Sequence, residues 1–280
     1  MHTGHDDQAD KSHSLESEKD KPVIRLVHNM GRSGSTLICK CLGCMDNIKL
    51  LSEIHPLGIN LFNPLSQAHE WFGLLNPHDI EKLQHTAIPF VEAIKLVELR
   101  SRQRGETLII RDWGHLDFTG FPILDNPSYE LGLAKALKQD FRLVQTAIVR
   151  HPLDQWLSLF ELEAMADTID SGQLSLAFFL KGYLEFAKHC QKIGYIRYED
   201  FTRQPESIMQ EMCNNLDIPY DRGFINHWHE YRSITGDVSS ARGGNEIGPL
   251  KRRPFESGLM ASLDREPAYH EALKILGYSE

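Results

Sequence analysis

The stretch that most restricts this chain runs from Val23 to Leu42, VIRLVHNMGRSGSTLICKCL. An apolar run of strand character breaks into Gly31-Arg32-Ser33-Gly34-Ser35-Thr36 and resumes with helical character. Glycine lets the backbone turn tightly, and the first-turn amides of a helix have no partner inside it. Strand, glycine turn and helix start therefore form a concave row of N–H donors suited to an anion such as phosphate. The hydroxyls of Ser33, Ser35 and Thr36 add donors, and Arg32 adds a fixed positive charge. The lysine that completes a nucleotide-hydrolysing phosphate loop is missing, and an arginine stands early in the loop instead.

Further strands are expected at 48–52, 107–111, 143–149 and 193–197, after a first at 23–28. These are continuous apolar runs, as parallel strands covered on both faces require. Helical patterns occupy 35–45, 78–103, 152–165, 174–190, 204–216 and 267–276. Such alternation predicts a three-layer α/β fold with a central, right-handed parallel sheet of about five strands, and the glycine loop that opens it resembles that of phosphate-loop nucleotide-binding proteins, whose topology is then expected. No proline- or glycine-rich linker divides the chain, so residues 23–280 read as one domain. Residues 1–22 are polar and carry three histidines; they read as a disordered, solvated tail.

A net charge of −9 argues against a general nucleic-acid binder, and no apolar run is long enough to span a membrane. The first residues lack the apolar core of a secretory signal, and the five cysteines are odd in number. Both observations predict a cytoplasmic protein with reduced thiols. The run CKCLGC offers metal-ligand spacings at Cys39, Cys41 and Cys44, but it sits on the helix after the anion loop. Packing of that helix is the expected role, and no metal is expected.

Ligands of open α/β sheets gather beyond the carboxyl ends of the strands. There the chain places the Arg32 loop, then Glu53 and His55, then Asp112 and His115, then Arg150 and Ser158. The long polar segment 233–258 carries five glycines and several basic residues, and reads as a functional loop.

GRSGST followed by VRHPLDQWLSLF resembles the sulfotransferases that use 3′-phosphoadenosine 5′-phosphosulfate (PAPS). The resemblance assigns the 5′-phosphosulfate to Arg32, Ser33, Gly34, Ser35 and Thr36. It assigns the 3′-phosphate to Arg150 and Ser158, within a segment of R-x-P-x-D-x-x-x-S form. IRYEDF is similar to the family's Y-E-D segment, which makes Tyr198 an adenine contact. Arg242, Gly243 and Gly244, with Arg252 or Arg253, would close over the nucleotide. The resemblance thus implies a metal-independent transfer of a sulfuryl group to a hydroxyl on a small or carrier-bound acceptor.

In-line transfer to a hydroxyl needs a positioned base and a charge on the leaving phosphate. Arg32 supplies the charge. Glu53, at the end of the second strand, is spaced like the glutamate of the tyrosylprotein sulfotransferase branch. His115 is the rival base, although IIRDWGH departs from the family's K-T-H pattern by putting Trp113 in the histidine position. Two other readings stay open: a small-molecule kinase with Arg32 in place of lysine and Asp112 on a metal, and a non-catalytic nucleotide-binding module.

Overall fold

Five parallel strands form one sheet in the order β2-β3-β1-β4-β5: β1 Val23–Asn29, β2 Ile48–Ile54, β3 Thr107–Asp112, β4 Arg142–Val149 and β5 Tyr195–Arg197. The structure, a computed structural model, describes residues 20–85, 87–160, 168–169, 172, 174–236 and 246–279. The first strand lies at the centre, paired with β3 on one side and β4 on the other, Val27 against Arg111 and Thr146. Consecutive strands thus depart to opposite sides of β1, and that reversal opens a crevice at the carboxyl ends. The expected α/β class and sheet are present.

Alternation along the strands sends side chains to two cores. Val27, Leu50, Ile109 and Ile148 face helices α1 (Ser35–Gly43) and α5 (Pro205–Asn215). Leu26, Leu51 and Ile110 face α2 (Phe90–Gln103), whose Ile94 and Val97 fill that side. Farther along the second face, Ala147 and Val149 meet α3 (Pro152–Leu159), α4 (Leu176–Ile193) and α6 (Pro267–Leu276). Each fully buried Leu or Ile contributes about 1.5–3 kcal/mol, so covering both faces is what makes the unbroken apolar strands stable.

Cys39 and Cys41 lie in the α1 core, and burial raises Cys39 to about 11 and Cys44 to about 12. They are protonated packing groups, as the helix reading expects.

Departures from the sequence reading have local causes. The helix expected over 78–103 is two, Pro77–His85 and Phe90–Gln103, because Pro89 lacks an N–H and pushes its predecessor out of helical conformation. The helix expected over 174–190 runs from Leu176 to Ile193: the Ser175 hydroxyl caps its start, accepting from Phe178 N–H at 3.2 Å, and Gly194 at φ 84° ends it. This extension delays β5 to Tyr195. Of the helix expected over 152–165, Pro152–Leu159 is present and 161–167 lie outside the described residues. The tail expected over 1–22 is likewise outside as far as residue 19.

Candidate active site

The two anion motifs meet at the mouth of the crevice. Arg32 Nε donates to both the carbonyl and the Oγ of Ser158 at 3.1 Å, across 126 residues of sequence. Arg150 Nη1 donates to the Arg32 carbonyl at 3.2 Å, and Gln155 Nε2 to the Gly31 carbonyl at 2.7 Å. The loop that precedes α1 is therefore laced along α3, from Arg150 just before the helix through Gln155 to Ser158 in its last turn. Its backbone is bent to do this, with Arg32 at φ 66° and Gly34 at φ 82°. The Ser33 Oγ and the Arg150 Nε are buried and have no hydrogen-bond partner among the described residues. Buried donors are rarely left so, and a phosphate group bound beside each would satisfy it.

Tyr198 closes the other wall. Its ring lies under Arg150, 5.0 Å from centroid to guanidinium, and presses on Gly34 so closely that a Cβ there would sit 2.2 Å from the ring. A small cleft beside it is lined by Arg150, Asp154, Tyr198, Glu199, Pro249 and Leu250. The segment 246–256 thus does reach the arginine and tyrosine, with Arg252 donating to both oxygens of Asp154 at 3.1 and 2.9 Å. Arg242, Gly243 and Gly244 lie outside the described residues. Arg150 itself is held from behind. Glu199 accepts from the His151 backbone N–H and from the Tyr278 hydroxyl, both at 2.9 Å, while Tyr183 donates to the Arg150 carbonyl at 2.5 Å.

Glu53 stands across the loop from this pair, at the end of β2. Its Oε1 lies 3.4 Å from Arg111 Nη2, and its side chain is 15% exposed. A Cβ on Gly236 would lie 3.0 Å from Thr36 Oγ1 and 3.6 Å from Glu53 Oε1, so the carboxylate and the first turn of α1 share a wall. His115 packs against the loop from below, with its ring 3.5 Å from a Cβ placed on Gly31. The Thr119 hydroxyl donates to the His115 carbonyl at 2.8 Å, so its oxygen accepts from His115 Nε2–H at 3.1 Å. That tautomer leaves the lone pair on Nδ1, which is buried without a partner among the described residues. Burial lowers the His115 pKa to about 4, so the ring is neutral at neutral pH.

His55, two residues after Glu53, turns away from the loop. Its Nε2–H donates to Asp117 at 3.2 Å while Nδ1 accepts from Leu57 N–H. Asp112 also turns inward: it is fully buried and 2.6 Å from His28 Nδ1, and burial raises its pKa. The sequence reading overlooked Arg111, Gln155 and Glu199. For Arg111 a signal existed, since a guanidinium directly after the apolar run LII and still within the strand has no place against a core unless it is bonded. Gln155 and Glu199 carry no such mark, because polar residues at a helix start are ordinary.

No protein-family model matches this chain, and no curated protein matches it. Among solved structures, the sulfotransferase domain from the curacin biosynthetic pathway matches with TM-score 0.62 at 15% identity, covering 92% of this chain and 98% of that one. The sulfotransferase domain from the Synechococcus PCC 7002 olefin synthase matches with TM-score 0.54 at 15% identity, covering 93% and 90%. The chain has the fold of these sulfotransferase domains. Among the described residues no helix is long and apolar enough to cross a membrane, and no group of three or more His, Cys, Asp or Glu side chains is arranged to hold a metal ion.

Proposed function

We propose that this protein is a PAPS-dependent sulfotransferase that moves a sulfuryl group to an acceptor hydroxyl. The observation that carries the reading is the joined pair of anion motifs: Arg32 bonded to Ser158, Arg150 bonded to the Arg32 carbonyl, and two buried donor atoms beside them without partners. A nucleotide with phosphates on both sides of its ribose asks for two cationic points at a fixed spacing, and an arginine fork with a hydroxyl suits each. The two sulfotransferase domains that share the fold support the same reading.

In this reading Arg32, Ser33, Gly34, Ser35 and Thr36 hold the phosphosulfate, Arg150 and Ser158 hold the 3′-phosphate, and Tyr198 contacts the adenine. When bound, PAPS supplies an activated sulfuryl group and a phosphate leaving group. Arg32 and the first-turn amides of α1 meet the charge that develops on the leaving oxygen. Glu53 accepts the proton of the acceptor hydroxyl, and His115, neutral with a bare Nδ1, orients or relays beneath the loop. The acceptor is read as a small molecule or a carrier-bound hydroxyl, residues 23–280 as one domain, and the compartment as cytoplasmic, in keeping with free cysteines at all five positions. The kinase alternative loses ground on Asp112, because the carboxylate it would place on a metal is fully buried against His28.

Calorimetry against adenosine 3′,5′-bisphosphate and against ATP with Mg²⁺ tests the donor. Metal-independent binding of the bisphosphate is expected, and preference for ATP with Mg²⁺ refutes the reading. Transfer of labelled sulfate from PAPS across a panel of alcohols and carrier-bound hydroxyls then tests the reaction itself.

A further inference from the structure

At the end of β2 the strand carries one residue more than its partner. Leu51 pairs with Ile110 and Ile54 with Asp112, so Ser52 and Glu53 together face Arg111. This is a β-bulge, and Glu53 takes the left-handed conformation in it, φ 57°. A residue with a Cβ does not rest there unless its surroundings hold it.

Gln67, one turn into the helix Pro64–Glu70 and only 6% exposed, is one such restraint. Its side-chain amide meets Ser52 twice: Ser52 N–H donates to Oε1 at 2.7 Å, and Nε2 donates to the Ser52 carbonyl at 2.8 Å. That is the pair of bonds a neighbouring strand would make, and among the described residues β2 is an edge strand with no neighbour on that side. A primary amide carries donor and acceptor on one planar group, the complement of a residue's backbone N–H and carbonyl.

Arg111 holds the bulge from the opposite side, 3% exposed. Its Nη1 donates to Ser52 Oγ at 3.2 Å and to the Thr235 carbonyl at 3.1 Å, and its Nε to Asn29 Oδ1 at 3.3 Å. The Ser52 hydroxyl also meets Thr235 Oγ1 at 2.8 Å. With Ser52 fixed at backbone and hydroxyl, the extra residue is displaced as Glu53, beside Thr36.

We propose that Gln67 and Arg111 are positioning residues, which together hold the bulge that aims the Glu53 carboxylate at the phosphate loop. The mechanical claim stands on this geometry; its catalytic consequence rests on Glu53 as the base.

The test compares Gln67→Met, which keeps the volume and loses both bonds, with Asn63→Ala. Asn63 caps the same helix through Leu65 and Ser66 N–H and does not touch Ser52. Gln67→Glu, which keeps only the acceptor, is the second variant if Gln67→Met is insoluble. Crystal structures with adenosine 3′,5′-bisphosphate are expected to show Glu53 out of the left-handed region and away from Arg111 in the Gln67 variant, but not in Asn63→Ala. Affinity for the bisphosphate should stay within about twofold while transfer falls roughly tenfold to a hundredfold, as misplacement of a reacting group by about 1 Å does. Adding Glu53→Gln should then bring transfer no lower than Glu53→Gln alone does, so that the two losses do not multiply. A Gln67 variant that keeps Glu53 near φ 57° overturns the proposal, as does an equal loss of transfer in Asn63→Ala. If the wild type sulfates nothing on the panel, the reading of Glu53 as base fails, and the crystal structures still decide the bulge.

Discussion

Gly34→Ala is the sharpest perturbation the structure offers, because two independent penalties fall on one methyl group. The first is backbone: Gly34 sits at φ 82°, where an L residue loses about 1–2 kcal/mol. The second is steric: the new Cβ would lie 2.2, 2.5 and 2.9 Å from three carbons of the Tyr198 ring. Ordinary contact needs about 3.5–4.0 Å, so ring or loop must shift by more than about 1 Å. Overpacking of this kind costs about 1–3 kcal/mol, giving a total of about 2–5 kcal/mol and a fall in Tm of roughly 10 °C. The movement also drags Tyr198 from beneath Arg150, at present 5.0 Å away, so affinity for adenosine 3′,5′-bisphosphate should fall together with stability.

A double-mutant cycle separates the two penalties. With the ring removed by Tyr198→Ala, only the backbone penalty remains, so Gly34→Ala should cost about 1–2 kcal/mol in that background. Thermal unfolding and calorimetry on the four proteins read the cycle. An equal cost in both backgrounds, or a Gly34→Ala protein as stable as wild type, would refute the claim that Tyr198 packs on the loop.

The remaining predictions address single groups. Arg150→Met should weaken adenosine 3′,5′-bisphosphate binding roughly 100-fold, a loss of about 3 kcal/mol, while barely changing the affinity for 5′-AMP; equal losses would remove the 3′-phosphate assignment. Glu53→Gln should bind the bisphosphate normally and lose roughly 100-fold or more in transfer, and near-normal turnover would eliminate Glu53 as base. Burial lowers both His115 and His151 from 6.5 to about 4, so between those values the unfolded chain binds protons that the folded one does not. Stability should therefore be full above about pH 6.5 and decline as pH falls towards 4, by about 3 kcal/mol for His115 alone. Urea titrations across that range should show a shallower decline in His115→Gln, and an identical pH profile would count against burial of a neutral ring.

What the sequence discloses about this site follows from how far each feature acts along the chain. The Arg32 loop is local: a strand, glycines and a helix start stand in one run, so its shape is legible in twenty letters. The Arg150 segment is also local, and Pro152 at the first turn of α3 fixes where the arginine stands. The bond between them is not local. Arg32 reaches Ser158 only because β4 lies beside β1, and strand order is written in no single segment. Glu53 is the harder case, since its position in the list of strand-end residues is readable but its direction is not. An added residue in an edge strand reverses which face every later side chain takes. That direction depends on an amide fifteen residues on and a guanidinium on the next strand, so β2 read alone as IKLLSEI predicts a strand and misses its bulge. The same logic explains Arg111. Its charge directly after an apolar run is a visible anomaly, and only the registered neighbours Ser52, Asn29 and Glu53 turn the anomaly into a clamp.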